Sequence, residues 1–126
     1  MKFKMAAEDG RSFTATLGDN PTARDFASLL PLTLTLKDYA STEKISDLPK
    51  RLSTENAPDG FVPRARDIAY YAPWGNLAIF YQDFRYSPGL IKLGRLDGDL
   101  AALQQAGPIP VTVERDAPPT ADRTHP

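Results

Sequence analysis

Few residues in this chain have types and spacings that could do chemistry. It has no cysteine and one histidine, His125. Thiolate nucleophiles, disulfides and Cys-based metal centres are therefore excluded. A single histidine in "PPTADRTHP" cannot build a His-rich metal site. Asp97 and Asp99 could be read as a ligand pair, but they stand just ahead of "LAALQQAG", where helix capping accounts for them. Glu43 and Lys44 read as an exposed ion pair or a turn. Thr22 invites a catalytic reading in "NPTA", yet helix initiation explains Asn20 and Pro21 beside it. The glycines of "GLIKLG" and "GRLDGD" lack phosphate-loop spacing. The expectation is a protein with no metal, no cofactor and no assignable catalytic residue.

What remains is aromatic. "YYAPWGNLAIFYQDF", Tyr70 to Phe84, holds Trp74, the only tryptophan. Alternation puts Ile68, Tyr70 and Ala72 on one face of a strand, and Asp67, Ala69 and Tyr71 on the other. On the following strand Leu77, Ile79 and Tyr81 oppose Ala78 and Phe80. One set belongs in a core. The other must be covered by a loop, a partner subunit or a ligand. Trp74 sits in a Pro-Trp-Gly turn, where a half-exposed ring at the rim of that second face is expected.

The elements that would position these rings follow from periodicity. "KFKMAAEDGRSFTATL" reads as a hairpin, with Phe3, Met5 and Ala7, then Phe13, Ala15 and Leu17, facing inwards. "DNPTARDFASLLP" changes to helical spacing through Ala23, Phe26, Ala27 and Leu30, capped by Asp19 or Asn20 and ended by Pro31. Leu32, Leu34 and Leu36 alternate with Thr33, Thr35 and Lys37 in the cleanest half-buried strand. A long Pro-, Ser- and Asp-rich excursion follows, with one short strand near Glu43 to Ser46. Two strands flank "PWG", and their apolar character on nearly every residue predicts cover on both faces. "GLIKLGRL" is a further strand, with Gly94 at a bulge or a close backbone approach. "DGDLAALQQAG" predicts a second short helix, with Leu100 and Leu103 inward and Gly107 and Pro108 as its stop. A last strand carries Ile109, Val111 and Val113. Many short strands with short connections suggest a closed barrel plugged by the helices.

The 126 residues fit one domain, expected over 1–115 with a frayed tail over 116–126. With 41% hydrophobic and 25% charged residues the chain reads as an ordinary globular protein. A formal net charge of −1 gives no pull towards nucleic acid or anionic lipid, so neither is an expected partner. No apolar run suits a signal peptide or a membrane span, and the expected location is cytoplasmic, or periplasmic if a leader has been removed.

Four segments, "DNPTARDFASLLP", "EKISDLP", "YYAPWGNLAIFY" and "GLIKLGRLDGD", resemble in wording and order the bacterial cyclophilin-like domain family. The resemblance implies a mainly β fold: a closed eight-stranded cyclophilin-like barrel capped by two short helices. One departure is visible, since the strand at Asp67 opens with Arg66-Asp67 where the family pattern has Gly-Asp. Prolyl isomerases of this fold use an arginine, a glutamine, a histidine and an apolar pocket. Their FHRVIPGFMIQGGD-type segments are absent here. The expectation is a barrel that binds a peptide or small molecule in an aromatic groove, with Arg64, Arg66, Tyr71, Trp74 and Phe80 as the binding residues, and with a monomeric or homodimeric chain. The alternatives are an atypical peptidyl-prolyl isomerase using Arg64 or Arg66, and an accessory subunit of a larger assembly.

Overall fold

The computed structural model of the chain describes residues 1–98, 100, 101, 103, 104 and 107–116. In chain order its elements are β1 (Lys2–Ala7), β2 (Ser12–Leu17), α1 (Pro21–Ala27), β3 (Leu32–Tyr39), β4 (Glu43–Asp47), β5 (Gly60–Phe61), β6 (Asp67–Tyr71), β7 (Asn76–Phe80), β8 (Ser87–Pro88), β9 (Leu90–Leu96) and β10 (Ile109–Arg115). Eight of them close a barrel in the order β1-β10-β3-β4-β7-β6-β9-β2, and β5 pairs with β8 apart from it. Every ladder is antiparallel. Closure leaves the barrel without an open edge. Among the described residues no helix is long and apolar enough to cross a membrane.

Alternation fixes the interior. Phe3 and Met5 of β1, Leu34 and Leu36 of β3, Ile68 and Tyr70 of β6, Leu77 and Ile79 of β7, and Val111 and Val113 of β10 share one core. Helix α1 packs against it through Ala23, Phe26 and Ala27, and the Phe26 ring meets Phe3 edge-on at 5.7 Å. Asn20 caps the helix by accepting from the Ala23 N–H (2.8 Å), with Pro21 in its first turn. Thr22, the residue that invited a catalytic reading, is buried. Its hydroxyl donates to the Ser53 carbonyl at 2.6 Å, and Asp25 accepts from the Ser53 N–H at 2.7 Å. These bonds tie the long excursion to the helix, and Leu52 of that excursion enters the core.

The second expected helix is not formed among the described residues, of which α1 is the one helix. The Leu100 carbonyl accepts from the N–H groups of Leu103 and Gln104, making a turn that is enough to bury Leu103. Asp97 does not cap it. Its carboxylate accepts from Lys2 Nζ (2.8 Å) and from the Thr14 and Thr16 hydroxyls, and so fastens the end of β9 to β1 and β2. The Asp99 reading lies outside the described residues, as do residues 117–126 of the expected tail; Asp116 donates its N–H to the Lys2 carbonyl.

Two backbone positions shape the sheet around β6. The β6–β9 register slips between Ile68 and Ala69, opposite Gly94. A Cβ on Gly94 would stand 2.1 Å from the Thr16 carbonyl oxygen, so only glycine lets β2 and β9 meet there. Arg66 has φ of 83°, the left-handed region where glycine is at ease. That explains the Gly-Asp pattern from which this chain departs. Arg66 is held there by its N–H to the Phe80 carbonyl and by its carbonyl from the Leu96 N–H, both at 2.8 Å.

Candidate functional site

Strands β6 and β7 are buried on both faces, as their composition predicts. Their outer face carries a second, smaller cluster of Ala69, Ala78, Phe80 and Leu90, with Ile45, Phe61, Tyr71 and Phe84 packed on it. The cover is a loop: the β5–β8 ladder lies over this face, and a Cβ on Gly60 would fall 2.3 Å from the Ser87 carbonyl oxygen. The cover is incomplete. Beside it opens a pocket of about 300 Å³.

Register places its floor. Glu43 lies opposite Phe80, Ile45 opposite Ala78, and Asp47 opposite Asn76. Glu43, Ile45, Asn76 and Phe80 therefore share the outer face of β4 and β7, and all line the pocket, with Leu90 of β9 beside them. One wall is the 84–88 segment, including Arg85 and Tyr86. The Arg85 guanidinium stacks over the Phe84 ring, 4.5 Å from its centroid. Three rings in contact also line it: Trp74 meets Tyr39 at 5.5 Å and Tyr71 at 5.2 Å, both edge-on. Trp74 is 54% exposed, Tyr86 50% and Tyr39 44%, so most of the large apolar side chains left in water among the described residues gather at one pocket.

Two polar groups stand out in it. Asn76 is buried; its Nδ2 donates to the Leu77 carbonyl (3.0 Å), which fixes the amide orientation and leaves Oδ1 buried with no donor. Glu43 has a carboxyl pushed up to about 7 by burial, countered only by a long hydrogen bond (3.4 Å) from the Thr42 hydroxyl. Among the described residues no cation shifts it.

The expected exposed Glu43–Lys44 pair does not exist. Successive residues of a strand point to opposite faces. Lys44 is fully buried on the inner side, where its ammonium donates to the Gly107 carbonyl (3.0 Å) and pairs with Asp38 (3.0 Å). That pairing holds the Asp38 carboxyl below its usual value, helped by the Tyr81 hydroxyl donating at 3.0 Å.

Of the five residues expected to bind, Tyr71, Trp74 and Phe80 line the pocket. Arg64 and Arg66 are exposed and do not; Arg64 lies 4.0 Å from Asp83, and Arg66 serves the backbone turn into β6. Tyr39, Asn76 and Arg85 were not anticipated. Parity could have found Tyr39, since it continues the outward series Thr33, Thr35, Lys37 along β3. Asn76 is the one polar residue of "NLAIF", an oddity in a strand buried throughout.

No curated protein matches the chain. The solution structure of the hypothetical protein AF2241 from Archaeoglobus fulgidus is similar to it, with a TM-score of 0.71 and 21% identity over 91% of this chain and 94% of that one. At that identity the likeness shows the fold alone. The cyclophilin-like family matches over residues 7–114, which takes in all eight barrel strands at least in part, and the chain belongs to that family.

Proposed function

We propose that this protein is a binding barrel, which takes a small molecule or peptide in the pocket on the outer face of β6 and β7. The observation that carries this reading is the gathering of Tyr39, Trp74 and Tyr86, each about half exposed, around one concavity of about 300 Å³. That volume is at the small end of ligand sites. A floor of apolar and aromatic side chains with few polar groups is the usual make-up of such sites. Water gains nothing from these rings, and a ligand that covers them recovers the apolar area they expose.

Arg85 beside an aromatic floor is the observation that favours a second reading, since prolyl isomerases of this fold polarise the proline amide with an arginine. Among the described residues, the glutamine and histidine that accompany such an arginine have no counterpart in the pocket. We therefore expect no isomerase activity. A chymotrypsin-coupled assay that gave turnover abolished by Arg85→Ala would replace the binding reading with the enzymatic one.

The binding reading is tested by amide chemical-shift mapping with a mixture of aromatic fragments and short peptides. Shifts centred on Glu43, Tyr71, Trp74 and Asn76, absent in Trp74→Ala, are the expected result. Shifts confined to another face, or none at all, would sink it.

A further inference from the structure

The chain has one tryptophan, five tyrosines and six phenylalanines, and the tryptophan, three of the tyrosines and two of the phenylalanines line this pocket. Their angles matter as much as their number. Trp74 stands at 87° to Tyr39 and at 83° to Tyr71. Where two rings meet at a right angle, a group seated in the corner touches a face of each. The face of an aromatic ring is its negative side. Trp74 and Tyr39 are 54% and 44% exposed, so much of their ring surface is free to meet a ligand.

A neutral apolar group would gain only the area that these rings cover. A cation gains in addition the attraction of each face that it touches. The pocket already holds one cation in this way, since the Arg85 guanidinium lies over the Phe84 ring. Arg85 itself opposes a second cation, but it is exposed, and water screens its charge. Among kinds of cation the pocket selects by its shortage of acceptors. A primary ammonium brings three N–H groups, and each needs a partner once it leaves water. Among the described residues, Glu43 is the one carboxylate that lines the pocket. A trimethylated nitrogen has no N–H to satisfy. Its charge is spread over methyl groups, which ask only for surface contact.

Resting on the binding reading above, we infer that the pocket is a cage for a trimethylammonium group, seated in the corners that Trp74 makes with Tyr39 and Tyr71. Glu43 in the same pocket supplies a counter-charge. A choline-like small molecule carries this group, and so does a trimethylated lysine side chain.

Two probes of the same shape test the inference on the intact protein, read by amide chemical shifts and titrated into the millimolar range. Choline has a quaternary nitrogen where 3,3-dimethyl-1-butanol has a carbon. Choline is expected to bind about tenfold more tightly, and ethanolamine more weakly than choline. Because the chain has one tryptophan, feeding mono-, di- and trifluorotryptophan alters Trp74 alone. Fluorine drains negative charge from the ring face with little change of shape. Each step should weaken choline and leave 3,3-dimethyl-1-butanol unchanged. Tyr39→Leu should narrow the gap between the two probes, and the fluorotryptophan series stands even if that variant does not fold. An Nα-acetyl-trimethyl-lysine methylamide that outbinds choline supports the inference and assigns a peptide as the source; the reverse order supports it and assigns a small molecule. Equal binding of choline and 3,3-dimethyl-1-butanol, an ethanolamine that binds as well as choline, or a choline affinity blind to fluorination would overturn the inference and leave the binding reading intact. If neither choline nor its neutral analogue binds but the aromatic fragments do, the inference again falls alone. If nothing binds, both fall.

Discussion

The two faces of the β6–β7 hairpin are built from the same few residue types and end in different states. Inwards, Ile68, Tyr70, Leu77 and Ile79 meet the rest of the barrel and are closed off. Outwards, Ala69, Ala78 and Phe80 form a small cluster with Leu90, on which Ile45, Phe61, Tyr71 and Phe84 pack, and a pocket is left beside them. Tyr70 and Tyr71 make the contrast at its smallest. The Tyr70 hydroxyl is buried and accepts from the Leu52 N–H at 3.0 Å, which anchors the long excursion. Tyr71 turns its ring to Trp74 at the pocket wall. Apolar composition thus requires cover, but the amount of cover is set by what the chain has to lay over each face. Where that is one short loop, space for a ligand remains.

The contrast is broken most directly by Ile79→Ala, paired with Trp74→Ala. The first empties a packed site and should cost about 2–5 kcal/mol. The second should cost well below that, since over half of the indole is already in water. Denaturant melts followed by circular dichroism decide it, and a comparable loss in both variants would mean that the outer face is core. The tyrosines come next. Tyr70→Phe leaves the Leu52 N–H unmet and should cost about 1–3 kcal/mol. Tyr71→Phe should stay within about 0.5 kcal/mol, as for changes away from buried bonds.

Glu43 sharpens the comparison through pH. Its folded-state carboxyl titrates near 7, above the ordinary value of 4.5, so the native state holds a proton that the unfolded state releases. The stability linked to it is fully present below pH 4.5 and is lost as pH rises through about 7. Asp38 and Asp97 are shifted the other way, by Lys44 and Lys2 respectively, and lose their contribution only in acid below their usual value of 3.8. Glu43→Gln should therefore flatten the fall of Tm between mildly acidic and mildly alkaline buffer. A parallel fall in the variant would remove Glu43 as the cause. The smallest effect concerns the turn into β6. Arg66→Gly relieves a left-handed backbone but frees the unfolded chain, so a net gain of under about 1 kcal/mol is expected. A loss in thermal unfolding would show that the arginine side chain contributes more than its backbone costs.

Most of the barrel was legible because its strands obey period two. β1, β2, β3 and β10 each bury one apolar row, and β6 and β7 announce two-sided cover by lacking polar positions. Strand β4 was harder to read because its parity is inverted. Its inward residues are Lys44 and Ser46, and its apolar Ile45 faces the pocket. The "DGDLAALQQAG" segment has the leucine spacing of a helix. Its cap was already committed to Lys2, Thr14 and Thr16, partners far away in sequence. The aromatic half of the site was visible for the same reason as the barrel, and the polar half was not. Asn76 looks like an ordinary first residue of a strand, and nothing local to Glu43 reveals that Tyr39 and the 84–88 segment will enclose it. Arg64 and Arg66 were attractive as charges near a groove, but both side chains are exposed and neither lines it.

The pairing of β1 with β10 has a kinetic side. β1 forms a hairpin with β2 across a four-residue connection, yet its other edge waits for β10, where Phe3 aligns with Arg115 at the far end of the barrel sequence. Contacts of such separation cost the most chain entropy and slow folding. A chain without β10 in place would leave β1 and β3 each with an unpaired edge that can find a neighbouring molecule instead. One strand thus both closes the ring and removes the two edges through which copies of the chain could associate.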